Sequence, residues 1–185
     1  MVDLVGHLVE KLDKLRDLVG QREREKQDAA RLVGSEQVIY LHARDTERAR
    51  WEVTCDELLQ SGFAVVPGEP DRIERDPEEA LKRRAERVAT LTECDALLLL
   101  APQDGLALDA DLLAVGRTDR NSAKARSRRM LPGAVLDVTG SVRTTQRRQT
   151  ARGLQVDWID GTATPLVPAV KTWLTAKGNG GAVVG

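Results

Sequence analysis

Apolar positions follow two rhythms along this chain, and the change between them falls near residue 37. Beyond that point short apolar runs alternate with longer amphipathic stretches, the signature of parallel βαβ units. Val38-Ile39-Tyr40-Leu41 reads as a first strand, followed by a helix over 46–61 with Asp45 or Thr46 as its cap and Gly62 past its end. Phe63-Ala64-Val65-Val66 reads as the second strand, stopped by Pro67. Asp76-Pro77-Glu78-Glu79 opens a helix to about residue 91, with Asp76 able to cap and Pro77 suited to the first turn. The most apolar run, 96–100, is expected to be the central strand, buried on both faces. Two short helices follow over 106–115 and 122–129, then a strand at 134–138, a helix over 142–151, a strand at 154–159 and a last helix over 168–176. Trp51, Trp158 and Trp173 fall on faces that belong to the core.

Five strands with intervening helices predict an α/β fold, a five-stranded parallel sheet of flavodoxin-like order 2-1-3-4-5, spanning residues 35–177. In that order a ligand crevice opens beyond the carboxyl ends of the first and third strands.

The other rhythm belongs to residues 1–34. Val5, Leu8, Leu12, Leu15 and Val19 are spaced 3, 4, 3, 4, an amphipathic helix with a coiled-coil seam over two heptads. Two heptads alone are marginal in water, so this helix needs its own domain, a second copy or a partner to pack on. Residues 178–185 lack packing side chains of any size and read as a loose tail.

Formal net charge is only −1 although 31% of residues are charged, so the total says nothing about partners. Distribution says more. From Arg117 to Arg152 there are ten Lys or Arg against only Asp119 and Asp137, whereas acids predominate before it. A basic face for an anion or an acidic partner competes here with a merely solvated helical face. The run Arg117–Arg129 contains no aromatic residue for stacking, so nucleic acid is not the expected partner. Cys55 and Cys94 are far apart and outside any CxxC spacing, and His7 and His42 are the only histidines, which argues against a disulfide framework or a zinc site. With no signal-peptide pattern and no apolar run approaching about 18 residues, a cytoplasmic protein off the membrane is expected.

Candidate chemistry lies after the first and third strands. His42-Ala43-Arg44-Asp45 follows one, and Pro102-Gln103-Asp104-Gly105, leading to Asp109 and Asp111, follows the other. The crevice would then hold one imidazole, one guanidinium and several carboxylates. Each has a plainer reading beside it: Asp109 and Asp111 as caps or solvated helix residues, Asp45 as an N-cap, His42 as a loop residue with ordinary hydrogen bonds, Arg44 as exposed. No GxGxxG follows the first strand, and neither GxxxxGK[ST] nor GxSxG occurs.

The stretch Val38–Asp45, the amphipathic helix ending in Leu58-Leu59-Gln60-Ser61-Gly62-Phe63, and Cys94-Asp95 before the apolar run together resemble the opening strands of TIR (Toll/interleukin-1 receptor) domains. The resemblance spans about 140 residues and rests on pattern and spacing rather than a rare motif. It implies a signalling module of bacterial defence or signalling systems that works by self-association within larger assemblies. It also implies NAD as a possible substrate, cleaved at its nicotinamide–ribose bond. In that family a glutamate after the third strand supports the cationic ribose. This chain has no glutamate after Glu93, and the matching positions hold Asp109 and Asp111. On the resemblance these would be the catalytic carboxylates, with His42, Arg44, Asp45, Gln103 and Asp104 around the ligand. An aspartate withdraws the charge by one methylene, and a misplacement of about 1 Å can cost on the order of a hundredfold in rate.

Overall fold

The computed structural model describes residues 37–179, so the N-terminal heptads and the end of the tail lie outside the described residues. Five parallel strands form one sheet in the order β2-β1-β3-β4-β5, as the sequence pattern predicts: β1 Val38–His42, β2 Ala64–Val66, β3 Ala96–Leu100, β4 Gly133–Asp137 and β5 Val156–Asp160. All five β3 residues are buried, which fits its place at the centre of the sheet.

Strand periodicity of two sends alternate side chains to opposite faces. Ile39, Leu41, Leu98, Leu100 and Leu136 meet α1 (Arg48–Gln60) and α6 (Leu166–Asn179) through Trp51, Leu58, Val170 and Leu174. Tyr40, Leu97, Leu99 and Val135 meet α2 (Pro77–Glu93), a long helical run from Gly105 to Ser127, and α5 (Thr145–Gly153). The helix starts follow their capping chemistry. Asp76 accepts from Glu78 N at 2.9 Å, Asp104 from Leu106 N at 2.9 Å, and Thr144 from Arg147 N at 3.1 Å.

The structure corrects several boundaries. The first helix is entered through a 3₁₀ turn, Asp45–Glu47, and neither Asp45 nor Thr46 caps it; Asp45 instead accepts from Arg48 Nε at 3.0 Å. Helix α5 starts at Thr145 rather than 142, because Thr144 supplies the cap. The last helix runs Leu166–Asn179, so residues 178 and 179 are helical rather than tail.

The largest correction concerns the gap expected between 115 and 122. Gly116-Arg117-Thr118-Asp119-Arg120 reads as a loop because it is polar and contains glycine, yet the chain stays helical throughout. The α-helix α3 (Gly105–Asp111) widens into a π-helical segment, Leu112–Asp119, and returns to α-helix as α4 (Arg120–Ser127). Buried positions along it form two rows, 112, 116, 120 and 111, 115, 119, 123, each with a period of four. An α-helix of 3.6 residues per turn would rotate such rows off the sheet by about 40° each turn; the wider winding keeps them facing it. Gly116 sits so close beneath the sheet that a Cβ there would lie 3.3 Å from Leu99 Cδ1. The same winding turns Asp119 and Arg120, both 1% exposed, into the interior.

Candidate functional site

The β1 and β3 carboxyl ends meet as the strand order requires, with Tyr40 opposite Leu97 and His42 opposite Leu99. His42 is the last residue of β1, not a loop residue, and is 3% exposed. Its two ring nitrogens have no hydrogen-bond partner, and Nε2 lies 3.7 Å from Asp111 Oδ2. Asp111 is buried and gripped by Arg44: Nε donates to Oδ1 at 3.0 Å and to Oδ2 at 3.1 Å, and Nη2 donates to Oδ1 at 2.8 Å. Arg44 Nη2 also donates to the Ala107 carbonyl at 3.1 Å, which ties the loop after β1 to α3. Burial opposes ionisation of Asp111, but the His42 ring and the Arg44 guanidinium outweigh it and hold the carboxyl below its ordinary range.

The other sequence-derived candidates are dispersed. Asp109 is half exposed and turns to α5, accepting from Arg147 Nε at 3.0 Å and from Nη2 at 3.3 Å. Gly105 makes room for that arginine, since a Cβ there would fall 2.2 Å from Arg147 Nη2. Asp45 holds Arg48, Asp104 caps α3, and Gln103 is exposed, its backbone N–H donating to Glu47 Oε1 at 3.1 Å. Of the crevice set, then, the fold assembles His42, Arg44 and Asp111.

Beside this triad lies a cavity of about 210 Å³ whose walls include Tyr40, His42, Asp71, Glu86, Arg87 and Thr90. Its charge network was not legible in the sequence, because its members come from three separated segments. Arg87 on α2 donates from Nη1 to Asp71 at 2.6 Å and from Nε to the buried Asp119 at 2.7 Å, while Arg84 Nε donates to the other oxygen of Asp119 at 2.8 Å. Burial works against the charge on Arg87, and the two carboxylates outweigh it. Burial also pushes the Tyr40 phenol up, so it stays protonated. Further along the sheet, Arg143 bridges Asp137 and Asp160, donating from Nε to Asp137 at 3.0 Å and from Nη1 to Asp160 at 2.6 Å.

These arrangements share one chemical property. The crevice carboxylates, except the capping Asp104, are engaged by guanidinium groups, and a neutralised carboxylate gives little support to a developing cation. Among the described residues no group of three or more His, Cys, Asp or Glu side chains is placed to hold a metal ion. Both cysteines are buried; Cys94 Sγ donates to the Thr90 carbonyl at 3.2 Å, and burial, with Asp56 nearby, pushes the Cys55 thiol up to about 11. No helix among the described residues is long and apolar enough to cross a membrane.

Comparison with known proteins places these findings on their own footing: no family model matches the chain, and neither the curated proteins nor the solved structures provide a match.

Proposed function

We propose that this domain is a TIR-like signalling module that acts by joining further copies of itself, through opposite charge on two faces, rather than by cleaving a nucleotide. The observation that carries this reading is a local clustering of unpaired charge, acidic on α1 and basic on α4, although α2 beside α4 also bears Glu78, Glu79 and Glu86, exposed and unpaired among the described residues. On α1 the exposed Glu52, Asp56 and Glu57 make no ion pair among the described residues, and they surround Val53, which is 60% exposed. On α4 and just beyond it, Lys124, Arg126 and Arg128 are exposed and equally without a carboxylate partner. The two helices lie on opposite faces of the sheet. An acidic face that meets a basic face of the next copy is a heterologous contact, which propagates instead of closing. The heptads at Val5–Val19 would orient neighbouring copies.

Long-range charge attraction is screened by salt, which gives the test. Light scattering of the full chain should show large species at about 0.05 M salt that disperse at about 0.5 M. Glu52→Lys/Asp56→Lys/Glu57→Lys and Lys124→Glu/Arg126→Glu/Arg128→Glu should each remain monomeric alone and assemble when mixed. A wild-type chain that stays monomeric at low salt would sink the reading.

A second reading, an NAD glycohydrolase, has one observation in its favour: Asp111 is buried beside Arg44 at the crevice, where that chemistry would need a carboxylate. The Arg44 clamp weighs against it, because the negative charge is already spent. Nicotinamide release by concentrated protein separates the two readings. The assembly reading expects none, whereas turnover abolished by Asp111→Ala would establish the hydrolase.

A further inference from the structure

The basic run at Arg117–Arg129 lacks an aromatic neighbour in sequence, but the fold supplies one to a different basic surface. A groove of about 370 Å³ lies between α5 and the edge strand β5, and its lining includes Arg148, Arg152 and Trp158. Arg148 and Arg152 are four residues apart on one helix face, exposed, and without a carboxylate partner among the described residues. Trp158 is half-buried, and its orientation is fixed by Nε1 donating to Asp137 Oδ2 at 3.3 Å. Asp157 also lines the groove, but its carboxylate is committed elsewhere, to Lys177 at 2.7 Å and Trp173 Nε1 at 2.8 Å. The uncommitted charge of this groove is therefore positive.

The surface continues past the α5–β5 turn. A second cavity of about 150 Å³ is lined by the turn residues between Arg152 and Val156, Gly153 and Gln155 among them, with Arg117 and Asn121, and Arg117 is again exposed and unpaired among the described residues. Three uncommitted guanidinium groups thus line two cavities that flank the α5–β5 turn, with an indole in the first. Sequence-tolerant recognition of single-stranded nucleic acid uses this combination, a base stacked on an aromatic ring and phosphates held by arginines. A mononucleotide would need only the first groove, whereas the path through Arg152 to Arg117 offers phosphate contacts to a longer chain.

We infer that the groove between α5 and β5 binds a short single-stranded nucleic acid, with a base on Trp158 and successive phosphates on Arg148, Arg152 and Arg117. The probe is a fluorescein-labelled oligo(dT) of about twelve nucleotides, titrated with the full chain at several salt concentrations and read by anisotropy. With three phosphate contacts, log affinity should fall against log salt with a slope of about −2. Arg148→Ala/Arg152→Ala should weaken binding more than tenfold and reduce the slope to about −0.7. Trp158→Leu should weaken it by about tenfold or more without changing the slope, and Trp158→Phe, which keeps a ring in the fold, should restore most of the loss. No binding at low salt would overturn the inference. So would full affinity in Arg148→Ala/Arg152→Ala, or saturation by dTMP with no gain from chain length.

Discussion

Arginine does two different jobs in this molecule, and the contrast between its two regions is instructive. Around the crevice and beneath α2, Arg44, Arg84, Arg87, Arg143 and Arg147 each meet a carboxylate, and three of those carboxylates, Asp111, Asp119 and Asp137, are buried. Along the π-helical segment, α4 with its C-cap, and α5, Arg117, Arg126, Arg128, Arg148 and Arg152 are exposed and meet none among the described residues. The difference is not in the arginines but in what burial demands. A buried carboxylate is tolerated only with its charge compensated, so the interior recruits guanidinium forks from neighbouring helices. An exposed arginine faces no such demand and is left to act on whatever approaches. The first set holds the fold together; the second is available for recognition.

The sharpest way to break this contrast is to remove one interior carboxylate. Asp119→Ala leaves Arg84 and Arg87 without their shared partner beside a buried tyrosine. It should cost about 3 kcal/mol in denaturant unfolding. A loss no larger than that of a surface substitution would show that the network is decoration.

Next comes the pH dependence of the Arg44–Asp111 pair. The folded-state pKa of Asp111 is lowered, so the unfolded chain, titrating near about 4, takes up the proton first. The stability this pair contributes is therefore present above about pH 5 and is lost as pH falls through 4 toward the folded value. Asp111→Asn should flatten the acid limb of the stability–pH curve. It should not erase that limb, because Asp157 and Asp160 are also lowered, Asp160 by the Thr162 hydroxyl and then by Arg143. An unchanged curve would mean that Asp111 titrates alike in both states.

The smallest effect is expected in the other region. Arg148→Ala/Arg152→Ala should change unfolding stability by less than about 0.5 kcal/mol, since no packed or paired group is lost. A larger loss would move these residues into the structural class and weaken their availability for a ligand.

The sheet was legible in the sequence because strands buried on both faces are written as plain apolar runs: 96–100 marked β3 with both ends in place. Strand order brought the segments after β1 and β3 together, but not which of their side chains would meet; of the candidates there, only His42, Arg44 and Asp111 come together. Two things were hidden. Asp119 and Arg120 look like surface loop residues, and only the wide helical winding, which leaves no compositional trace, carries them inward. Arg120 is held there by donating to the Leu154 and Gln155 carbonyls at 2.8 and 2.9 Å, partners more than thirty positions away. The neighbourhood of Trp158 was hidden for the same reason: its arginines belong to α5, and helix-on-strand packing is not written in local spacing.

The π-helical segment also sets where this chain can change length. With buried rows recurring every four residues, each residue of this segment advances the azimuth by roughly 90°, so deleting one between Leu112 and Asp119 would swing everything downstream by that angle. Ala123 would leave the sheet, Lys124 would turn toward it, and Arg120 would take the place of Asp119, away from the Leu154 and Gln155 carbonyls. The loops after β2 and β5 face no such phase requirement. Natural variation in chain length should therefore collect in those loops and spare 105–127, giving this helix a fixed length independent of which side chains it bears.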